Sequence, residues 1–261
     1  MRQLRTVRVT RYVTPLREGG SLPAIVEADD DGMYVLKFRG AGQGPKTLAA
    51  ELLAGELARA AGLRVPEIVL VELDADLART EPDPEIQSLI RASAGLNLAL
   101  DYLPGSVTFD PVSETPAADL ASAIVWFDAL VTNVDRTARN PNMLMWHRKL
   151  WLIDHGAALY FHHNWQDPEE QSRRPFPHVK EHVLLPLATE LDVVDAEFRS
   201  ILHTGRIQSI VSLIPDEWLD DGSSDESADE IRMKYVRFLM SRLSNSENFV
   251  NEAKYAREAL I

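Results

Sequence analysis

Apolar and polar residues alternate along much of the first hundred residues with the two-residue period of β-strands. This alternation predicts strands at residues 5–14, 24–28 and 33–38, with an Asp-Gly turn that joins the last two as a hairpin. Two further apolar segments predict strands at 63–74 and 96–106. The first part of the chain is therefore predicted to be rich in β-structure.

One segment among these strands has the period of a helix. The run TLAAELLAGELARAAG predicts a helix over residues 47–61, with Thr47 as its N-cap and Gly62 as its stop. Residues 74–87 are rich in Asp, Glu and Pro, which predicts a loop or a short irregular segment.

After residue 105 the pattern becomes mainly helical. Apolar residues at helical spacing predict a helix over 117–131, and NMLMWHRKLWLID predicts a β-hairpin that turns near 147–149. Residues 162–178 contain several prolines and predict a long loop. Four more helices are predicted, at 179–190, 193–203, 206–213 and 230–259.

These elements predict an α+β fold with two lobes. The N-lobe would comprise residues 1–105 and be β-rich with one main helix, and the C-lobe would comprise 106–261 and be mostly helical. An active site is expected in the cleft between the lobes, where ligand sites commonly lie.

Composition narrows the class of protein. The chain has 261 residues, which is enough for a large core, and 0 cysteines, which excludes disulfides and thiolate chemistry. A net charge of −13 argues against nucleic acid as a direct partner. The longest apolar-rich run, 120–131, is too short to span a membrane, and the N-terminus lacks the apolar core of a signal peptide. We therefore expect a cytoplasmic protein without a membrane partner.

The run TNVDRTARNPNML concentrates polar residues directly after the predicted helix 117–131. Asp135 and Asn140 lie five residues apart, and Asp154 follows the predicted hairpin, two residues before Gly156. The order D-x-x-x-x-N and then D-x-G is that of protein kinases, in which the first Asp is the catalytic base and the other two residues hold magnesium. This spacing predicts Asp135 as the base and Asn140 and Asp154 as Mg²⁺ ligands.

Lys37 lies in the apolar strand segment YVLKF, and the next predicted element is a helix with two glutamates. A strand lysine that pairs with a helix glutamate and contacts nucleotide phosphates is part of the same kinase arrangement. Helical projection does not choose between Glu51 and Glu56 as the partner. The alternative for Lys37 is an ordinary edge-strand lysine.

Four segments together resemble the compact form of the HipA-like kinase family: NVDRTARN, LIDHGAAL, YVLKF and AELLAGELARAAGLRVPE. The resemblance covers most of residues 15–165. It implies a two-lobed protein-kinase-like fold, ATP and Mg²⁺ as cofactors, and phosphorylation of Ser or Thr on a protein. It also assigns the lysine partner to Glu51.

The same resemblance extends to the segment EGGSLP, which matches the family's nucleotide-covering loop. Gly19 and Gly20 would let backbone amides approach a phosphate. Ser21 would be the counterpart of a loop serine that is autophosphorylated in longer relatives. The alternative is an ordinary hairpin turn.

The segment ALDYLPGS resembles the hinge between kinase lobes. Backbone groups of Asp101, Tyr102 and Leu103 would then contact adenine. The alternative is a strand that ends at a Pro-Gly turn.

Thr137 stands where family members commonly carry a histidine, two residues after the catalytic Asp. The leading hypothesis is an ATP- and Mg²⁺-dependent Ser/Thr protein kinase or autokinase, with a protein substrate that the sequence does not identify. The alternatives are a nucleotide-binding pseudokinase that acts as an interaction module and a small-molecule or lipid kinase.

His162 and His163 raise the question of a metal site near Asp154. Adjacent side chains of a strand point to opposite faces, so we expect a structural role rather than a shared metal ion.

Overall fold

A β-rich part of the chain precedes a helical part in the computed structural model, which describes residues 3–16, 22–42, 44–163, 165, 167–219 and 226–260. The strands are β1 (Thr6–Pro15), β2 (Ala24–Ala28), β3 (Met33–Lys37), β4 (Ile68–Leu73), β5 (Gly95–Asp101), β6 (Val107–Thr108), β7 (Met143–Trp146) and β8 (Lys149–Leu152). The helices are α1 (Pro45–Ala60), α2 (Pro84–Ala92), α3 (Ala118–Val131), α4 (Pro168–Arg173), α5 (Leu191–Ile201), α6 (Thr204–Val211), α7 (Ala228–Ser244) and α8 (Glu247–Glu258).

Five strands form the sheet of the first lobe, in the order β1, β2, β3, β5, β4. Neighbours in this order are antiparallel, and the start of β1 also pairs in parallel with β4. Alternate residues of β2 are buried, as the apolar alternation requires. The inner face of the sheet and α2 enclose a small apolar core that contains Val26, Leu36, Ile86 and Ile90.

Helix α1 is buried along its length from Leu48 to Ala58. Such burial requires apolar neighbours on several sides, which the sheet, α6 and a 3₁₀ turn at Asp216–Trp218 provide. Gly55 permits close packing, because a Cβ at this position would lie 2.4 Å from Cδ1 of Ile68 in β4. The helix ends before Gly62, whose φ of +88° is unfavourable for other residues.

Helix α3 is the centre of the second lobe and is buried along most of its length. Its Trp126 ring makes edge-to-face contacts with Phe198 of α5 and Phe249 of α8. Thr132 follows the helix in the left-handed conformation and ends it. The helical lobe and α1 share one continuous apolar core, so the two lobes are packed against each other.

The helical lobe also reaches behind α1. Arg39, just after β3, donates to Glu217 Oε2 over 2.8 Å, and Trp218 Nε1 donates to the carbonyl of Leu96 over 3.1 Å. Trp218 is 2% exposed. We call these contacts of the Asp216–Trp218 turn the rear clasp. It holds α1 between the sheet and the helical lobe.

Two predicted loops contain helices. The prediction for 74–87 is wrong, because a 3₁₀ helix and the start of α2 lie there. Asp83 caps α2 by accepting from the Glu85 N–H over 2.9 Å, and Pro84 stands at the first helical position, where its missing N–H costs nothing. The predicted loop 162–178 contains α4, which Asp167 caps in the same way.

Two predicted helices are also wrong. Residues 179–190 form short 3₁₀ turns, since Pro186 cannot donate the helical hydrogen bond. The segment 230–259 contains two helices rather than one, because the side chain of Asn245 donates to the Ser241 carbonyl over 2.7 Å where α7 ends. Smaller differences concern α1, which begins at Pro45 without a Thr47 cap, and β5, which ends at Asp101.

The described helices include none that combines the length and the apolar character needed to cross a bilayer.

Candidate active site

The loop after α3 holds Asp135 by four hydrogen bonds. Its backbone N–H donates to Asn133 Oδ1 over 3.2 Å. Its carboxylate Oδ2 accepts from Asn140 Nδ2 at 3.0 Å and from Asn142 Nδ2 at 3.3 Å. Asn142 Nδ2 also donates to the Asp135 carbonyl over 3.3 Å. The predicted base and the predicted metal-binding amide therefore lie in direct contact.

A buried ion pair lies beneath this loop. Arg136 Nε donates to Asp128 Oδ2 over 2.5 Å, and both side chains are 0% exposed. His182 Nδ1 accepts from the Leu184 N–H, so its Nε2 carries the proton and donates to Asp128 Oδ2 over 3.0 Å. Burial alone would raise the pKa of Asp128, but Arg136 and His182 hold it well below its usual range. The network joins α3, the loop and the segment around His182.

Asp154 follows β8 with a φ of +55°, and its side chain is partly exposed. Two backbone hydrogen bonds fix its neighbourhood against the loop: Ile153 N–H donates to the Asn142 carbonyl over 3.0 Å, and Leu159 N–H donates to the Val131 carbonyl over 2.7 Å. These bonds explain why residues distant in sequence lie on one side of the cleft.

Lys37 joins this group from the other lobe. Its Nζ lies 2.7 Å from Asp154 Oδ1 and 3.7 Å from Glu51 Oε2. Burial alone would lower the pKa of Lys37, but Glu51 and Asp154 raise it, so the ammonium stays charged. Glu56 instead lies 3.4 Å from Arg59. Helical projection left the choice between two glutamates open and the family resemblance assigned it to Glu51; in the structure the contact is made by Glu51.

Glu51 is almost fully buried and has a second partner in His155. The His155 backbone N–H donates to Glu51 Oε2 over 2.9 Å, and its ring Nδ1 lies 3.4 Å from Oε1. Burial would raise the pKa of Glu51, but Lys37 and His155 lower it to about 2. A glutamate of α1 is thus bonded to the residue that follows Asp154, which couples the helix to the cleft.

The predicted nucleotide-contacting residues divide into two groups. Gly19, Gly20 and Ser21 lie outside the described residues. In the predicted hinge, Asp101 N–H donates to the Glu67 carbonyl over 2.8 Å and Tyr102 N–H donates to the Met33 carbonyl over 3.0 Å. Among the described groups, no acceptor is found for the Leu103 N–H. Within the described part of the chain, the Leu103 N–H is therefore the one hinge amide without an acceptor.

Thr137 has a structural part in the loop. Its N–H donates to the Asn140 carbonyl over 3.0 Å, its Oγ1 accepts from the Asn140 N–H over 3.3 Å, and it forms a β-bridge with His182. These bonds close the turn that carries Asn140.

The two adjacent histidines differ from the expectation. They lie in a 3₁₀ turn rather than a strand, and their Nε2 atoms are 3.1 Å apart. His162 Nδ1 is bonded to the Tyr235 hydroxyl at 2.9 Å, and burial, followed by His163 and Lys46, lowers the His162 pKa to about 3. Among the described residues, no three acidic or His side chains form a metal-ligating group.

Sequence reasoning missed Asn142, Asp128 and His182 as supports of the loop. Asn142 lies in the polar run, and Asp128 lies in the apolar helix that precedes it. A polar residue at a position that is expected to be buried was the signal for both. His182 carried no such signal, because its partner Asp128 is 54 residues away.

Comparisons with known proteins identify the family and the fold of the chain. A family model described as HipA-like kinase matches residues 9–252. The chain belongs to the HipA-like kinase family. This confirms the family resemblance that the four sequence segments indicated. No curated protein matches the chain in a sequence search.

Solved structures of two kinases share the fold of this family member. The proinflammatory kinase CtkA of Helicobacter pylori superposes with a TM-score of 0.52 at 14% identity, over 98% of this chain and 99% of CtkA. The Golgi casein kinase with Mn/ADP bound gives 0.53 at 12% identity, over 99% of this chain and 75% of that chain. The α+β, two-lobed protein-kinase-like fold is therefore confirmed. Identities this low indicate a shared fold and nothing further.

Proposed function

We propose that the protein is an ATP- and Mg²⁺-dependent phosphotransferase that phosphorylates Ser or Thr on a protein, or on itself. The observation that carries the proposal is the double contact of Lys37, with Glu51 of its own lobe and with Asp154 of the other lobe. Membership of the HipA-like kinase family and the kinase fold support it. The division of the chain at residue 105 stays a prediction.

The cleft contains groups suited to a nucleotide. The Leu103 N–H has no acceptor among the described residues and can donate to adenine, and the ammonium of Lys37 is suited to phosphate oxygens. The glycine-containing loop at residues 18–23 remains the predicted cover of the phosphates.

Magnesium fits the donor set of the cleft. Among the described residues, Asp154 Oδ2 and Asn140 Oδ1 have no hydrogen-bond donor, and carboxylate and amide oxygens are the protein ligands that Mg²⁺ accepts. When bound there, the ion would neutralise charge on the phosphates. Lys37 would then turn from Asp154 towards the nucleotide phosphates, and Glu51 would remain ionised beside it.

Asp135 is the proposed catalytic base. The acceptor hydroxyl oxygen forms a bond to the γ-phosphorus, the bond from that phosphorus to the ADP oxygen breaks, and the hydroxyl proton passes to Asp135. The carboxylate is only partly buried, so an incoming hydroxyl can reach it. Asn140 and Asn142 donate to Oδ2, and Oδ1, which has no donor among the described residues, is the proposed acceptor of the proton.

Thiophosphate labelling of a lysate tests this function. Wild type should label itself or lysate proteins and should show a thermal shift with Mg–ATP. Asp135→Asn removes the base and keeps the shape, so the shift should persist and labelling should be lost. Asp154→Ala should lose the Mg²⁺-dependent part of the shift.

Three other outcomes discriminate the alternatives. No thermal shift in wild type would contradict nucleotide binding altogether. A shift without any labelling would support a pseudokinase, for which Thr137 was the sequence argument. Labelling confined to small molecules or lipids would contradict a protein substrate; the net charge of −13 disfavours anionic membrane surfaces.

A further inference from the structure

Asn142 is the more buried of the two side chains that donate to the Asp135 carboxylate. It is 8% exposed, whereas Asn140 is exposed and is the proposed magnesium ligand. Its side-chain nitrogen donates to two oxygens of one residue, the carbonyl and the carboxylate Oδ2 of Asp135, each at 3.3 Å. The reverse amide orientation would direct Asn142 Oδ1 at two acceptors, so the donor orientation is required.

The backbone carbonyl of Asn142 makes two further hydrogen bonds. Its carbonyl accepts from Arg136 Nη1 over 2.5 Å and from the Ile153 N–H over 3.0 Å. Arg136 is the buried partner of Asp128, and Ile153 immediately precedes Asp154. One residue is therefore bonded to the proposed base through its side chain and to the neighbour of the proposed metal ligand through its carbonyl.

Asn142 adopts a φ of +47°, in the left-handed region where Asn is tolerated better than most residues. In this conformation the side chain of Asn142 donates to Asp135 while its carbonyl accepts from Arg136 and Ile153. Glycine would keep the backbone and lose the amide, so the two contributions can be separated by substitution.

We propose that Asn142 is a positioning residue for phosphoryl transfer. Its amide fixes the carboxylate of Asp135, and its carbonyl fixes the spacing between the Asp135 loop and Asp154. The proposal rests on the proposed kinase function and assigns Asn142 no contact with nucleotide or metal. It therefore requires that loss of the amide lowers the rate of transfer while nucleotide binding is retained.

The experiment measures loss of the γ-phosphate from Mg–ATP, counted as labelled protein plus released phosphate. Asn142→Gly should lower kcat roughly tenfold to 100-fold, which is the effect of one hydrogen bond to a charged group. The KM for ATP and the Mg–ATP thermal shift should change by no more than about twofold. Asn142→Asp keeps the size but puts a carboxylate against Asp135, and its kcat should fall further.

Asn245→Gly is the matched control, because it also removes an amide that donates to a carbonyl, far from the cleft, at the end of α7. Its kcat should equal that of wild type. An unchanged kcat in Asn142→Gly, or a raised KM at constant kcat, would overturn the positioning role. If wild type itself consumed no ATP, the proposed function would fail, and the positioning role that rests on it would fail too. If wild type consumed ATP and Asn142→Gly consumed it equally fast, the positioning role alone would fail. The two failures are therefore distinguishable.

Discussion

Glu51 and Glu56 are both buried on α1, but their partners differ. Glu51 lies against Lys37 and His155, and Glu56 lies against Arg59. Removing one member of a buried ion pair leaves the other charge buried without a partner, which is costly. The role of Glu51 can therefore be tested by comparison with its neighbour.

Glu51→Gln should reduce γ-phosphate turnover roughly tenfold to 100-fold, because Lys37 loses one of its two counter-charges and the bond to His155 weakens. Glu56→Gln is the matched control and should retain turnover within about twofold. Steady-state kinetics of the two variants gives the comparison. Equal losses in both variants would contradict the assignment of Glu51.

His162 predicts a pH dependence of stability. Its folded-state pKa is lowered to about 3, mainly by burial, while the unfolded chain binds the proton near pH 6.5. The unfolded state therefore binds more protons between these values, and stability falls as the pH drops below 6.5. The free energy of unfolding at pH 5.0 should be about 2 kcal/mol lower than at pH 7.5.

Urea denaturation at the two pH values measures this effect. His162→Gln should lose most of the difference, whereas His147→Gln, at an exposed turn, should keep it. His163, whose pKa burial also lowers, adds a smaller effect of the same sign. An unchanged difference in His162→Gln would show that other groups carry the pH dependence.

At the scale of elements, α1 and the segment after Asp154 are in close contact. A Cβ at Gly156 would lie 2.7 Å from Thr47 Cγ2, at the start of α1. The glycine thus allows the helix to approach the residues that bind Glu51.

Gly156→Ala should lower the free energy of unfolding by about 1–3 kcal/mol, the usual range for overpacking. Thr47→Ser removes the clashing methyl group, so the double variant should recover most of the stability. Thermal or urea denaturation of the two single variants and the double variant tests this. Simple additivity of the two substitutions would contradict a direct clash.

At the scale of the whole molecule, the rear clasp joins the helical lobe to the sheet through Arg39, just after β3, and Leu96 of β5. The Arg39–Glu217 pair is partly exposed, and such pairs contribute little. Trp218 is buried and contributes a large apolar area. The clasp should therefore depend on Trp218 more than on the ion pair.

Trp218→Ala should lower the free energy of unfolding by about 3–5 kcal/mol. Trp146→Ala is the control: its indole also donates to a carbonyl, that of Pro104, but is only partly buried, so its loss should cost clearly less. Urea denaturation provides both values. A similar cost for the two tryptophans would mean that burial in the clasp is not the main contribution.

The sequence determined the elements and residues whose signals are local. Strand alternation located β2 and β3, and the spacing of Asp135, Asn140 and Asp154 indicated a kinase site whose roles remain proposals. Local signals failed for α2, where the Pro84 that starts a helix was interpreted as a loop signal. Composition around a proline does not state on which side of it a helix lies.

The tertiary structure decided the contacts between residues far apart in the chain. Lys37 lies 117 residues from Asp154, and His182 lies 54 from Asp128, so no spacing rule could pair them. The family resemblance assigned Glu51 rather than Glu56 to Lys37, but helical projection could not. The contact depends on how α1 is rotated against the sheet, and packing against α6 and the rear clasp contributes to that rotation. The position of Asn142 is likewise fixed by tertiary contacts, because its side chain is bonded to Asp135 and its carbonyl to Ile153 at the end of β8. Hydrogen-bond partners of buried polar groups are fixed by the completed fold, whereas periodicity and spacing are fixed by the chain itself.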